Sequence, residues 1–207
     1  MMPSFESRRG LDSRAGTALF LKRWLRRPFA MGAVIPSGRL LAEAMARATI
    51  QALDGRTGHV VELGAGTGEV TKALLAAGIA PARLVLVERD PELTSFLRRH
   101  FAEPKIIEGD AARLPRLLVE NGTMPIAAVV SSLPLLSLPT DIVNGIVHGV
   151  FDALPQGAAL VQFTYGPTPP VPRALREQLR LVGTSSRRIW RNVPPAVVWT
   201  FRRPTST

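Results

Sequence analysis

A short apolar run that ends in an acid and leads into three spaced glycines constrains this fold most. Residues 60–63 read VVEL, and Gly64, Gly66 and Gly68 follow at alternate positions. Glycine has no Cβ, so the main chain can take positive φ there and approach a ligand closely. The dinucleotide fingerprint G-x-G-x-x-G would need a sixth-position glycine where this chain has Glu69. The run therefore predicts a strand, a tight glycine turn and a helix, with a spacing that differs from the dinucleotide turn.

Strand and helix patterns alternate along the rest of the chain. The predicted strands are 58–63, 83–88, 105–107, 126–131 and 158–165, and the helices between them are 69–77, 91–101, 112–120 and 139–153. Strands that alternate with helices of this length predict a parallel α/β sheet covered on both faces. Residues 183–191 and 196–203 both have strand patterns and no helix between them, which predicts a terminal antiparallel hairpin.

Two helices are predicted before the glycine turn. One covers residues 15–27 and ends at Pro28, and the other starts near Ser37, which can cap it. We therefore predict a basic helical segment over residues 1–50, which docks on a membrane or caps the site, and a catalytic domain over residues 51–207.

Composition excludes several classes of site. The chain has 207 residues, 46% of them hydrophobic and 20% charged, which fits one globular domain. It has no cysteine and three scattered histidines, so we expect no disulfide framework, no thiolate nucleophile and no metal site. The polar N-terminus lacks a signal-peptide core, and no window has the apolar length of a spanning helix. We expect a cytoplasmic protein.

The net charge of +10 is carried by the two ends of the chain. Residues 1–50 carry nine basic and three acidic side chains, residues 51–172 carry nine and twelve, and residues 173–207 carry eight and one. Such asymmetry favours a polyanionic partner, either nucleic acid or an anionic membrane surface. General enrichment in arginine is the alternative, but it would not spare the middle of the chain.

The segment E-L-G-A-G-T-G at residues 62–68 resembles motif I of class I S-adenosylmethionine-dependent methyltransferases. This resemblance implies a Rossmann-like seven-stranded sheet with an antiparallel last strand. It also implies S-adenosylmethionine as cofactor and S-adenosylhomocysteine as product.

Acids follow three consecutive predicted strands, where ligands of open α/β sheets bind. The glycine turn and the following helix N-terminus can hold the methionine moiety and its carboxylate. Glu88 can accept hydrogen bonds from both ribose hydroxyls. The family resemblance implies that Asp110 binds the adenine amino group and that the backbone N–H of the next residue binds the adenine ring. We predict cofactor contacts at Glu62, Gly64, Ala65, Gly66, Thr67, Gly68, Glu88, Arg89, Asp110, Ala111 and Ser131.

The acceptor site is predicted after the fourth strand, in Ser131-Ser132-Leu133-Pro134-Leu135. Methyltransferases that act on planar base nitrogens have an N-L-P-Y type motif here. Ser131 takes the place of its Asn or Asp and Leu135 that of its aromatic residue, so a nucleobase would lack a stacking platform.

Tyr165 is the only tyrosine and closes the fifth strand. We predict it as the catalytic residue, since its ring can hold a methylated ammonium and its hydroxyl can accept a hydrogen bond; a core-edge tyrosine is the alternative. Arg187, Arg188 and Arg191 around Trp190 can hold a phosphate, and a solvated edge strand is the alternative there.

Longer segments resemble the bacterial phosphatidylethanolamine N-methyltransferases of the soluble, Rhodobacter-like type. They are FLKRWL at residues 20–25, GAVIPS at 32–37, SSLPLL at 131–136 and WRNVPPA at 190–196. The resemblance implies stepwise methylation of phosphatidylethanolamine, through mono- and dimethyl intermediates, to phosphatidylcholine. It also implies that the loop 32–37 lies over the cofactor.

The helix predicted over residues 15–27 is amphipathic and basic, as interfacial anchors are. Its predicted substrate or membrane contacts are Phe20, Lys22, Arg23, Trp24, Arg26 and Arg27. We expect peripheral association with the inner face of the cytoplasmic membrane. The alternative is a helix that packs on the core and keeps its basic face in water.

Three other functions remain open. An rRNA adenine N6-dimethyltransferase shares the glycine turn, the Glu88 position and the basic charge, but has an N-L-P-Y type motif and an added helical domain. A non-catalytic membrane-binding protein would not need all three acids, and a small-molecule methyltransferase leaves the basic N-terminus unexplained. We therefore expect a phospholipid substrate, no nucleic acid partner and a monomer.

Overall fold

The computed structural model describes residues 36–165, 168–192 and 194–205, and for residues 36 and 37 the backbone alone. Seven strands form one sheet in the order β3-β2-β1-β4-β5-β7-β6. The strands are β1 His59–Leu63, β2 Leu84–Glu88, β3 Lys105–Glu108, β4 Ile126–Ser131, β5 Ala159–Thr164, β6 Val182–Ser185 and β7 Val197–Arg202.

Strands β1 to β5 are mutually parallel, and β7 runs antiparallel to both β5 and β6. The order reverses between β1 and β4, which both pair with parallel neighbours, so the switch point of the sheet lies there. We call the edge at which β1 to β5 end the carboxyl edge. The predicted α/β fold with its antiparallel C-terminal hairpin is confirmed.

Helices cover the sheet and connect its parallel strands. They are α1 Pro36–Leu53, α2 Glu69–Ala76, α3 Pro91–His100, α4 Leu114–Glu120, α5 Thr140–Ala153 and α6 Arg173–Gln178. Helix α1 packs on α2 and against β4, β5 and β7, while α5 packs on α4 and on the single turn Ala111–Arg113. None of the described helices is both long and apolar enough to cross a membrane.

The main core lies between the sheet and helices α4, α5 and α6. Val61, Val129 and Leu160 on the sheet pack with Leu118 and Val147 on the helices, all of them almost fully buried. Strands buried on both faces have continuous apolar runs, as LVLVE in β2 does. This packing fixes the strand ends, and therefore the side chains that follow them at the carboxyl edge.

The structure corrects several sequence-based boundaries. Helix α6 was not predicted, because its six residues are too few for a clear helical period. The strand predicted over 183–191 ends at Ser185, and only the bridge between Ile189 and Ala196 continues the pairing. The boundary between residues 50 and 51 stays a prediction; helix α1 spans that position and packs on the sheet. The helix predicted over 15–27, with Phe20, Lys22, Arg23, Trp24, Arg26 and Arg27, lies outside the described residues.

Candidate cofactor and acceptor site

The glycine turn has the predicted backbone. Gly64, Gly66 and Gly68 have φ of 68°, 57° and 78°, in the left-handed region that glycine enters without strain. The Gly64 N–H donates to Val87 O at 2.9 Å and the Gly68 N–H to Ala65 O at 2.8 Å. Helix α2 begins directly after Gly68. The turn therefore brings a helix N-terminus to the end of β1.

The outer two glycines also allow close packing on their neighbours. A Cβ on Gly64 would lie 2.6 Å from Leu133 Cδ2, and one on Gly68 would lie 2.4 Å from Phe101 Cε2. A Cβ on Gly66 would meet nothing closer than 3.9 Å. The side of the turn at Gly66 is therefore the one open to a ligand.

Glu88 ties the glycine turn to the end of β2. The side chain is almost fully buried, and its Oε2 accepts a hydrogen bond from the Gly66 N–H at 2.9 Å. Its Oε1 accepts from the backbone N–H groups of Arg89 and Asp90, at 2.8 and 2.9 Å. A carboxylate has about four acceptor positions, so one remains for a ligand on Oε2. The predicted hydrogen bond from the ribose would use that acceptor position on Oε2.

Glu62 is a fully buried acid behind the glycine turn. Its Oε2 accepts a hydrogen bond from Thr71 Oγ1 at 2.6 Å, and its Oε1 has no partner within the described part of the chain. Burial, partly offset by the Thr71 hydrogen bond and reinforced by the charge of Glu88, raises the pKa of Glu62 to about 8. The carboxyl group is therefore largely protonated at neutral pH when no cation lies beside it.

Asp110 and Arg89 face each other across the ends of β3 and β2. Arg89 Nη1 lies 3.9 Å from Asp110 Oδ2, and both side chains are about half exposed. Asp110 Oδ1 accepts a hydrogen bond from the Ala112 N–H at 3.0 Å and so caps the turn that begins at Ala111. Ala111 itself packs in the core. The carboxylate is thus held in place while one oxygen stays accessible.

The loop after β4 places its two serines differently. Ser131 is buried, and its Oγ accepts a hydrogen bond from the Leu133 N–H at 3.3 Å. The hydroxyl for which we predicted a cofactor contact is therefore already engaged in a hydrogen bond within the loop. The Ser132 N–H donates to Leu63 O, while the Ser132 hydroxyl lacks a partner among the described residues. Gln162 of β5 donates through Nε2 to Leu133 O at 2.8 Å and supports the loop.

The remaining predicted residues lie at or near the carboxyl edge. Tyr165 follows β5, is 43% exposed and packs edge-on against Phe163 with ring centroids 5.1 Å apart. Partial burial raises the pKa of the Tyr165 hydroxyl, which therefore stays neutral at physiological pH. Ala65 is buried and Thr67 partly buried within the glycine turn. Arg187, Arg188 and Arg191 are exposed on the connection between β6 and β7.

Two residues near the site, Thr71 and Gln162, were missed by the sequence analysis, which named Ser132 only as part of the predicted acceptor loop. Thr71 lies on α2 one turn after the glycines, and this spacing alone could have suggested its contact with Glu62. Gln162 gave no usable signal, because its position beside the loop depends on how β4 and β5 pair.

Comparison with known proteins gives a relative that covers most of the chain. The chain is 31% identical over 153 residues to the ornithine lipid N-methyltransferase of Singulisphaera acidiphila, an alignment that covers 72% of this chain and 78% of that protein. No family model matches the chain. A solved structure of similar fold is the Burkholderia thailandensis 1,6-didemethyltoxoflavin-N1-methyltransferase, with bound 1,6-didemethyltoxoflavin and S-adenosylhomocysteine. Its TM-score is 0.65 at 15% identity, and the match covers 93% of this chain and 91% of that one.

This chain belongs to the class I S-adenosylmethionine-dependent methyltransferases. Its cofactor is S-adenosylmethionine. The ribosomal RNA small subunit methyltransferase A of Synechococcus sp. is 46% identical, but over 70 residues that span 30% of this methyltransferase and 24% of that protein. That match is therefore confined to a small part of either chain.

The residues of this methyltransferase fit its cofactor. S-adenosylmethionine carries an ammonium and a carboxylate at one end and a ribose with adenine at the other. The unpartnered Oε1 of Glu62 suits a cation, the open side of Gly66 admits a close backbone contact, and Glu88 keeps one acceptor position. Asp110 keeps an accessible oxygen for a donor on the base.

Proposed function

We propose that this methyltransferase methylates the primary amine of phosphatidylethanolamine, stepwise through mono- and dimethyl intermediates to phosphatidylcholine, at the membrane surface. The observation that carries a lipid amine as acceptor is the 153-residue alignment with a lipid N-methyltransferase. Support for phosphatidylethanolamine itself comes from the resemblance of the runs at residues 131–136 and 190–196. We place the reaction on the inner face of the cytoplasmic membrane.

The proposed cofactor contacts hold the cofactor by its two ends. Glu62 and the glycine turn would bind the amino acid end, and Glu88 with Asp110 would bind the nucleoside end. When bound, S-adenosylmethionine supplies an electrophilic methyl group on a sulfonium. The role of this chain is then to position the acceptor nitrogen about 3 Å from that methyl group and to exclude water.

The acceptor amine must be neutral to use its lone pair. Two hydroxyl groups at the carboxyl edge can accept a hydrogen bond from such an amine, those of Ser132 and Tyr165. The Tyr165 hydroxyl is uncharged at neutral pH, as a phenol ordinarily is, and burial raises its pKa further, so it would orient the amine by a hydrogen bond alone. The ring of Tyr165 can also hold the positively charged, methylated products.

Ornithine lipid is the second candidate substrate, because the relative that aligns over most of the chain acts on it. Ornithine also presents a primary amine, so the same hydroxyl groups would serve. An rRNA substrate has less support, because the buried Leu135 takes the place of the aromatic residue on which a base would stack.

The test is mass spectrometry of lipids after incubation with S-adenosylmethionine. Separate vesicles contain phosphatidylethanolamine or ornithine lipid, each mixed with phosphatidylglycerol. We expect successive gains of one methylene mass on phosphatidylethanolamine, because each methylation replaces one N–H by N–CH₃. Glu88→Ala is the matched control and should give no product, since the variant lacks the carboxylate that holds the glycine turn.

The two lipids separate the candidates. Methylation of ornithine lipid alone would replace phosphatidylethanolamine as the substrate and keep the reaction class. No product on either lipid, from protein that binds the cofactor by calorimetry, would contradict a lipid substrate and direct attention to 30S ribosomal particles.

A further inference from the structure

The connection between β6 and β7, described at residues 186–192 and 194–196, lies at the carboxyl edge. Strand β7 runs antiparallel to β5, with Val197 opposite Thr164 at the end of β5. The chain therefore enters β7 at the edge where β1 to β5 end. This topology places the connection next to the end of β5, where Tyr165 follows, and on the same edge as the glycine turn, from which β4 and β5 separate it.

The outer surface of this connection combines cations with an exposed aromatic ring. We call Arg187, Arg188, Trp190 and Arg191 the tip surface. Trp190 is 70% exposed, and the Arg188 guanidinium lies over its ring at 5.0 Å from the centroid. Among the described residues, no ion pair joins these arginines to an acidic side chain.

Backbone and side-chain hydrogen bonds fix the shape of the connection. Ser186 N–H donates to Val198 O at 2.8 Å, and Val198 N–H donates to Ser186 Oγ at 3.1 Å. Ile189 N–H donates to Ala196 O at 2.8 Å. Asn192 is buried, and its Nδ2 donates to Pro194 O at 2.6 Å. A surface that is ordered before binding loses less entropy when it binds.

Other apolar side chains are exposed at the same edge. Leu136, in the turn after β4, is 54% exposed, and Tyr165, after β5, is 43% exposed. Tryptophan and tyrosine favour the interface of a bilayer, where one side of the ring is apolar and the other is hydrated. Arginine suits the phosphate groups at the same depth.

We propose that the tip surface docks on a bilayer that contains anionic phospholipid, so that the carboxyl edge faces the membrane. Trp190 enters the interface, and Arg187, Arg188 and Arg191 contact lipid phosphates. The biological purpose rests on the proposed lipid substrate, since this orientation lets a headgroup reach the acceptor site while its acyl chains stay in the bilayer. The docking itself is a separate property and is measured without methyl transfer.

Single-stranded RNA also binds arginine and aromatic side chains. The bilayer is the better match here, because the neighbours of the tip at this edge include an exposed leucine and Trp190 is the one exposed tryptophan in the described part of the chain. RNA is therefore an outcome that the experiment must separate.

The experiment is co-sedimentation of the full-length protein with vesicles of phosphatidylcholine and phosphatidylglycerol, which offer no amine to methylate. Arg187→Gln with Arg188→Gln is compared with Arg98→Gln and Arg99→Gln, which remove the same charge from exposed positions at the end of α3. That end of α3 leads to the start of β3, at the opposite edge. Trp190→Ala is compared with Val119→Ala, since both side chains are 70% exposed and Val119 lies near the end of α4.

We expect the double arginine variant to lose about tenfold or more in vesicle affinity, because cations near the surface are attracted to anionic lipid. We expect a loss of about the same size for Trp190→Ala, because it removes the interfacial ring. The matched controls should retain wild-type affinity, and all variants should keep the wild-type affinity for S-adenosylmethionine by calorimetry. Equal losses in both double variants would overturn the proposal, because attraction would then follow net charge alone. Unchanged binding of the tip variants would also overturn it.

Fluorescence anisotropy with an RNA oligonucleotide completes the test. A larger loss of affinity for RNA than for vesicles in the tip variants would assign the surface to nucleic acid and overturn the docking proposal. Because the vesicles contain no acceptor, a tip-dependent binding result stands even if no lipid is methylated. Methylated lipid without tip-dependent binding would keep the proposed function and remove only the docking surface.

Discussion

At the scale of single residues, the candidate site contains two buried acids in very different surroundings. Glu88 accepts three backbone hydrogen bonds, which satisfy most of a carboxylate. Glu62 is fully buried, accepts a hydrogen bond from Thr71 Oγ1 and lies near the charge of Glu88. An unpaired buried carboxylate is costly, which is why the pKa of Glu62 rises to about 8. The same feature leaves one buried oxygen without a partner, which we propose as the contact of the cationic end of the cofactor.

Glu62→Gln should change how stability depends on pH. The folded protein holds a proton on Glu62 up to a pKa of about 8, while the unfolded chain releases it near 4.5. The unfolded state therefore binds fewer protons across this window, and the wild-type protein loses stability as the pH rises from about 4.5 to 8. The variant has no such loss, so we expect it to be more stable than wild type at pH 8, by a few kcal/mol at most.

Urea denaturation of both proteins at several pH values measures this difference, and calorimetry measures the affinity for S-adenosylmethionine. The advantage of the variant should vanish below pH 4.5, where both states of the wild type are protonated. Affinity for the cofactor should fall, because the amide offers no negative charge to a cation. Parallel stability profiles for the two proteins would contradict the buried, protonated state of Glu62.

At the scale of elements, the glycine turn has two separable functions. Its positive φ values let the chain pass from β1 into α2, and its missing side chains let other groups approach. Gly68 needs glycine for both reasons: its φ is positive, and a Cβ there would overlap the ring of Phe101. Gly66 needs glycine only for its positive φ, because an added Cβ would face open space.

Gly66→Ala compared with Gly122→Ala separates backbone strain from ligand approach. Gly122 has φ of 61°, close to the 57° of Gly66, and neither added Cβ would meet an atom closer than 3.9 Å. Both variants should lose about 1–2 kcal/mol of stability from the left-handed conformation. Only Gly66→Ala should also lose affinity for S-adenosylmethionine, because its methyl group occupies the open side of the turn.

Thermal denaturation and calorimetry measure the two effects. Gly122 follows α4, at the opposite edge of the sheet, so it serves as the control for strain. Equal cofactor affinity in the two variants would remove the assignment of the Gly66 side as the ligand face.

At the scale of the whole molecule, the last strand holds the second half of the sheet together. Strand β7 is inserted between β5 and β6, so the sheet is completed only by the end of the chain. Phe201 of β7 is fully buried, lies opposite Leu160 and stacks on Trp199. Gly183 on the neighbouring strand leaves room for its ring.

Phe201→Ala should lower the free energy of unfolding by about 3–5 kcal/mol, since it leaves a cavity in the core. Trp190→Ala, a change of similar size at the exposed tip, should stay within about 0.5 kcal/mol of wild type. Urea denaturation measures both. A comparable loss in the two variants would show that the tip is part of the folded core, against the exposure of Trp190.

Much of this architecture followed from local patterns. The glycine spacing determined the turn after β1, because only glycine tolerates three positive φ values so close together. Apolar runs and their alternation with helices predicted five parallel strands and a terminal hairpin, since burial on both faces requires such runs. The acids were found by their positions after strands, which the sheet topology brings to one edge.

Other features were decided only by the tertiary structure. Whether Ser131 or Ser132 offers a hydroxyl depended on the pairing of β4 with β1 and β5, because adjacent residues point to opposite faces. The protonation of Glu62 depended on how deeply α2 covers it, and burial is a property of the packed molecule. The tip surface lies at the carboxyl edge because β7 runs antiparallel to β5, a direction that no local pattern specifies. The sequence by itself determined the elements and the cofactor motif through local sterics and polarity, whereas the folded sheet decided which side chains share an edge.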